Sequence, residues 1–282
     1  MRAVRLWLTY GTFFYAADSA EAIPHGGEVR GTEDDLLTTE QSPLLRALVR
    51  QQYSAAITAR YIFYGLLVCL VLCAVSVTFL DRPIALFVHD LLREQDGPSR
   101  DAINALALVP DVHIILAIAL VATLGLVRLK RRGLRYAMSR RLKPLAETDL
   151  MDVGFLASMA VIVAEVIKTT FKFAFGRTWP ETWIKDNPSF IRDGVYGFFP
   201  FHGGVGWASF PSGHMTAVSA SMTVLWLLWP RWRAAYALIA AAAGLGLLGM
   251  DYHFLADILA GAYLGWAVGV ATVWIGRTRS VR

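Results

Sequence analysis

Two short stretches of the chain carry residues whose types and spacing suit the handling of an anion. Pro211-Ser212-Gly213-His214 stands directly before an apolar run. Serine and glycine at a helix start leave backbone N–H groups pointing outward, where an anion binds. A histidine one turn in is placed to give that anion a proton. The second stretch, His253-x-x-x-Asp257, sets an imidazole and a carboxylate one turn apart on one helix face. The carboxylate then holds one ring nitrogen and leaves the other free to attack or to take a proton. Each stretch also has a plainer reading. The first is equally an N-cap serine beside a structural histidine, and the second a structural pair, although a carboxylate inside an apolar run is costly to keep.

Basic residues cluster near these stretches. Lys168 and Lys172 lie four apart, with Glu165 on the same face, and Arg177 follows Gly176. Lys168 either snorkels to a membrane surface or pairs with Glu165. Lys172 and Arg177 are the better anion ligands, a point charge and a planar fork. The following segment, Pro180 to Trp207, holds Trp183, Tyr196, Phe198, Phe199 and Phe201. Such aromatics suit an interface belt or the entry for an amphiphile, and both readings stand.

The elements that must position these residues are apolar. Of 282 residues, 56% are hydrophobic and 17% charged, too apolar for one globular core of this length. Six spans are expected, over 61–80, 109–129, 150–167, 215–229, 234–250 and 254–275. An amphipathic surface helix is expected over 84–106, with His89 on its solvated face. The fold class is therefore all-α, a six-helix transmembrane bundle. Residues 1–55 read as a cytoplasmic N-terminal arm, partly disordered, and 56–282 as the membrane domain. The first 22 residues resemble a leader only superficially, since Thr, Tyr and Gly interrupt their apolar part.

Arg128–Lys143 holds eight basic and no acidic residues, which marks a cytoplasmic loop. The alternation of spans then puts Lys172–His214 and Asp251–His253 together on the opposite, extracytoplasmic side. The net charge of +5 comes from such loops. No basic stripe suited to nucleic acid lies outside them. Cys69 and Cys73, four apart in one apolar run, are not expected to form a disulfide.

The order and spacing of these motifs resemble the type 2 phosphatidic acid phosphatase family, whose superfamily includes the vanadium haloperoxidases. Pro211-Ser-Gly-His214 and His253-x-x-x-Asp257 are similar to its second and third signatures, and Lys172 to Pro180 fits the first with one substitution. Two positions depart from the pattern. Trp179 stands where the family has an arginine, and Gly246-Leu247 where it has Ser-Arg. The resemblance implies a membrane phosphatase acting on a lipid phosphate or diphosphate, in a bacterial inner membrane. By that resemblance His253 attacks phosphorus, Asp257 orients it, and His214 protonates the leaving oxygen. Lys172, Arg177, Ser212 and Gly213 would hold the phosphoryl oxygens, with Lys168, Arg192 or His202 adding charge. No cofactor or metal is implied. Transfer to a second lipid, or a non-catalytic lipid-binding role that follows loss of the two arginines, are the alternatives.

Overall fold

The computed structural model describes residues 43–93, 112–127, 150–182 and 186–280, with isolated positions between 101 and 108. Residues 50–282 form one compact unit, which holds the packing and the site described below; the first 49 form another. The leader-like stretch, most of the arm and the basic loop 128–143 lie outside the described residues. All regular structure described is helical, and extended residues meet only in isolated bridges such as Arg177 with Phe198.

The helices are α1 (Pro43–Val75), α2 (Asp81–Val88), α3 (Val112–Val127), α4 (Leu150–Phe175), α5 (Phe190–Asp193), α6 (Gly213–Leu228), α7 (Arg233–Gly249) and α8 (Leu255–Ser280). Four stretches are long and apolar enough to cross a bilayer: Ala55–Leu91, Val153–Phe175, Pro230–Gly249 and Leu255–Gly276. The chain is an integral membrane protein. The expected third, fifth and sixth spans fall on α4, α7 and α8, while α3 and α6 are apolar but shorter.

The first span differs from expectation. It does not end at Leu80 but continues through Asp81 to Leu91. A π turn over Ser76–Leu80 widens the helix, with the Asp81 N–H donating to the Ser76 carbonyl five residues back. This lets Pro83 follow without ending the helix. The beginning of the expected surface helix is therefore an extension of this span, and much of its remainder lies outside the described residues.

Helix α6 is the centre of the bundle. Ten of its sixteen residues are buried. Ala157, Ala160 and Ala164 of α4 pack with Ala220 and Val224 of α6 and Val268 and Val273 of α8. Val218 and Met222 meet Tyr236 and Ala243 of α7, and Ala117 of α3 meets Val161 and Ala217. The close approach of α8 to α6 depends on Gly261, Gly265 and Gly269, one turn apart on one face. A Cβ on Gly261 would lie 2.5 Å from the Ser212 carbonyl oxygen, and one on Gly269 2.7 Å from that of Ala220. Small residues at such a crossing let the two backbones come together in lipid.

Gly265→Leu should therefore force the helices apart, because its Cβ would lie 2.7 Å from Ser219 Cβ and 2.8 Å from the Ala220 nitrogen. The expected loss is about 3 kcal/mol or more, measured by thermal unfolding of the purified protein in micelles. An unchanged melting temperature would contradict this packing.

Candidate active site

The site forms where the starts of α6 and α8 meet the end of α4. Gly176 ends α4 with φ +56°, a left-handed conformation that favours glycine. A Cβ there would also collide with the Phe199 backbone. This turn sends Arg177 inward, and Ser209 N–H donates to the Arg177 carbonyl at 3.1 Å, laying the segment before α6 across it. Ser212 caps α6, its Oγ accepting from the Met215 N–H at 3.3 Å, and its own N–H donates to the Asp257 carbonyl at 3.0 Å. That last bond ties the two helix starts together.

His214 and His253 face each other across this junction with ring centroids 6.3 Å apart and planes at 71°. His253 is buried and His214 half-buried. Asp257 Oδ2 lies 3.5 Å from His253 Nδ1, accepts from Ser209 Oγ at 2.5 Å and from the Phe254 N–H at 3.0 Å. The carboxylate thus faces one imidazole nitrogen, leaving Nε2 to act. Burial pushes the His253 imidazole down to about 4, with Lys172 and His214 acting in the same direction and Asp257 opposing them. At neutral pH the ring is uncharged.

The expected anion ligands divide into two groups. Lys172 stays at the site, where its ammonium donates to the Ala208 carbonyl and lies 5.5 Å from the Trp179 ring centroid. The Gly213 N–H belongs to the open first turn of α6. Ser212 serves through its cap, since its N–H is already bonded to Asp257. Arg177 is not at the anion position. Its guanidinium is fully buried, with Nη1 2.5 Å from Asp257 Oδ1 and Nη2 2.5 Å from Asp81 Oδ2. Phe198 and Phe254 flank it at 4.8 and 4.5 Å. Two carboxylates hold its charge where none was expected from spacing alone.

Of the further candidates, Arg192 pairs with Asp186 and Asp193, and the exposed His202 lies tilted against Trp207 with ring centroids 4.5 Å apart. Lys168 is the one near the site. Its ammonium pairs with Glu165 at 2.5 Å, yet lies so close to Gly213 that any Cβ there would strike it. Leu247 is 1% exposed and packs with Met215 and Ile258, so that position is apolar core. Trp179 covers His253 at 5.2 Å between centroids and anchors its indole N–H on the Val205 carbonyl at 2.8 Å. His89 does not stand on a solvated face: its Nδ1 lies 3.5 Å from Glu181 and 3.6 Å from Asp251.

Asp81, Ser209 and the place of Trp179 escaped the reading of the sequence. Asp81 did leave a signal, a carboxylate at the end of an uninterrupted apolar run. Ser209 left none.

A family model described as the PAP2 superfamily matches residues 153–280, which include every signature residue named above. That match makes this region of the chain similar to the PAP2 superfamily over just under half of its length. It is similar to "Lipid A 1-phosphatase" of Rhizobium etli, 32% identical over 115 residues, which is 40% of this chain and 47% of that protein. It is 31% identical over 113 residues to the protein of the same description from Rhizobium johnstonii, 40% of this chain and 43% of that one. The matched region thus spans under half the length of either relative. Among solved structures it is similar to a transmembrane PAP2-type phosphatidylglycerolphosphate phosphatase from Bacillus subtilis, with TM-score 0.48 and 16% identity over 78% of this chain and 97% of that one.

An NMR titration of labelled histidines should show one ring, assigned to His253 by its loss in His253→Ala, staying neutral until about pH 4. The depressed native value means that the unfolded chain takes up this proton first as pH falls below about 6.5. Stability should drop between about pH 6.5 and 4, by at most about 1.4 kcal/mol per pH unit from this group. Titration of the ring near 6.5 would contradict the burial described.

Proposed function

We propose that the protein is a lipid phosphate phosphatase working through a phosphohistidine at the extracytoplasmic face. The observation that carries the reading is the His214–His253 pair, set at two joined helix starts with Asp257 behind the nucleophile. His253 Nε2 attacks phosphorus while the bond from phosphorus to the lipid oxygen breaks. His214 gives that oxygen its proton. Water then attacks phosphorus, the N–P bond breaks, and His214 takes the water proton, which restores the enzyme. The Nδ1 proton of His253 stays toward Asp257 throughout. Phosphoryl transfer of this kind asks chiefly for positioning and charge neutralisation. Lys172, Lys168 and the open N–H groups of α6 supply both.

The similarity to the two Rhizobium lipid A 1-phosphatases makes the 1-phosphate of lipid A the first substrate to test, beside phosphatidate, phosphatidylglycerophosphate and a polyprenyl diphosphate. The extracytoplasmic placement rests on the basic loop 128–143 and the alternation of spans. Trp179 in place of an arginine gives the pocket one cation fewer and one apolar wall more, which suits an amphiphilic ester. A lipid phosphotransferase would use the same intermediate, and an added acceptor lipid would then appear phosphorylated in place of free phosphate. A chain that only binds lipid would be indifferent to loss of His253.

The purified protein should release inorganic phosphate from at least one of these lipids, unaffected by EDTA, and His253→Ala should abolish it. Radiolabelled phosphate from substrate should be trapped on the wild-type chain in an acid-labile, alkali-stable form and be absent from His253→Ala. Lys168→Met should lower kcat/KM about 10- to 100-fold, somewhat less than loss of a fixed oxyanion donor, with Lys168→Arg recovering part. Full activity in Lys168→Met would remove this side chain from the phosphate site.

A further inference from the structure

Asp81 lies far from the signatures in sequence, at the π turn of the first span, yet its carboxylate meets the site from behind. Its Oδ1 accepts from Ser76 Oγ at 2.7 Å and from the Ala256 N–H, in the first turn of α8, at 3.0 Å. Its Oδ2 accepts from Arg177 Nη2 at 2.5 Å, and the Tyr196 hydroxyl stands 3.2 Å away. That hydroxyl in turn donates to the Val77 carbonyl at 2.8 Å. Asp81 is 1% exposed, Arg177 and Asp257 0%. A buried array of two carboxylates and one guanidinium is not a good source of stability, since apolar residues of similar volume commonly do as well or better. Its form calls for a reason at the site.

We propose that Asp81 is a positioning residue for phosphoryl transfer, acting through Arg177 to hold the Asp257 carboxylate and keep its negative charge effective on His253. This rests on the phosphatase reading above. The guanidinium fixes Asp257 Oδ1, so that Oδ2 remains directed toward Ser209 and the His253 Nδ1. Fixed alone, however, Arg177 would cancel the charge that Asp257 presents to the imidazole. The second carboxylate offsets the guanidinium and leaves one net negative charge beside the ring. That charge favours a proton on Nδ1 and a lone pair on Nε2, and stabilises the ring as it gains positive character during attack. The other charged or titratable groups facing His253 are Lys172 from α4 and His214 from α6, and both oppose it. Among the described residues Asp257 alone acts in favour, held by Arg177 while Asp81 offsets that cation.

The geometry separates two roles that one arginine might have combined. In this chain Arg177 serves the nucleophile's carboxylate and not the phosphate. The cations on the phosphate side are lysines.

The test uses the full-length protein in micelles. Asp81→Asn should lower kcat about 10- to 100-fold with KM within about threefold, a smaller loss than the roughly 10,000-fold typical when a carboxylate that touches a catalytic imidazole directly is neutralised. The histidine nitrogen spectrum should show His253 moving from the Nδ1–H toward the Nε2–H tautomer at neutral pH. Asp81→Glu should recover part of both. The double variant Asp81→Asn with Arg177→Gln restores one net negative charge and removes both partners of the buried pair. It should retain more activity than Asp81→Asn alone, which also covers a single variant that does not fold. An unchanged tautomer with kcat within threefold of wild type, or losses that simply add in the double variant, would overturn the inference. The spectrum is read without turnover, so a wild-type chain that released no phosphate would refute the phosphatase reading and leave this one to the tautomer.

Discussion

The arrangement turns on one buried contact, the guanidinium of Arg177 held between Asp81 and Asp257. Three separate segments contribute to it: the first span just past its π turn, the turn after α4, and the first turn of α8. None of the three residues is exposed beyond 1%. An unpartnered charge in that position would be strongly unfavourable. The three segments are therefore obliged to come together, and the histidine above Asp257 is located as a consequence. The aromatic rings around Arg177 strengthen this obligation, because Phe198 and Phe254 exclude water from the pair while facing its cation with their π surfaces.

A second constraint complements the first. The stripe Gly261, Gly265, Gly269 brings α8 against α6 at backbone contact, and the Ser212 N–H closes the gap by bonding to the Asp257 carbonyl. The two histidines sit at the ends of these two helices, so the distance between the rings is inherited from the packing of the helices. The loops contribute Arg177, Ser209 and the covering Trp179. A site built in this way is held by rigid elements in lipid, where the backbone bonds of each helix are already satisfied.

The replacement of two basic signature residues has different meanings at its two positions. Leu247 joins Met215 and Ile258 in a small core and simply belongs to the wall between α7 and α8. Trp179 occupies the site itself, against His253 and below the Lys172 ammonium. It gives up a cation for an apolar surface. Lys168, one turn before Lys172, approaches Gly213 and partly restores the positive charge at the start of α6. Its pairing with Glu165 keeps that charge neutralised in the meantime.

Much of this was legible in the residues themselves. Hydropathy marked the apolar segments, and three full spans fell where the pattern put them. The nearness of His253 to Asp257 was legible in their spacing of four, although His253 lies in the turn just before α8 and not within it. The first span was misjudged at Leu80, since a proline ordinarily ends a helix and the π turn that accommodates it has no clear sequence mark. The partners of Arg177 were not legible at all. Asp81 is 96 residues away from it and Asp257 80 residues, and charges at such separations reveal nothing of their pairing until helix packing brings them within hydrogen-bonding reach. Residue types and short periods determined which groups were available for chemistry. Tertiary structure alone decided which cation pairs with the Asp257 carboxylate and which approaches the start of α6, because that depends on contact between segments distant in the chain.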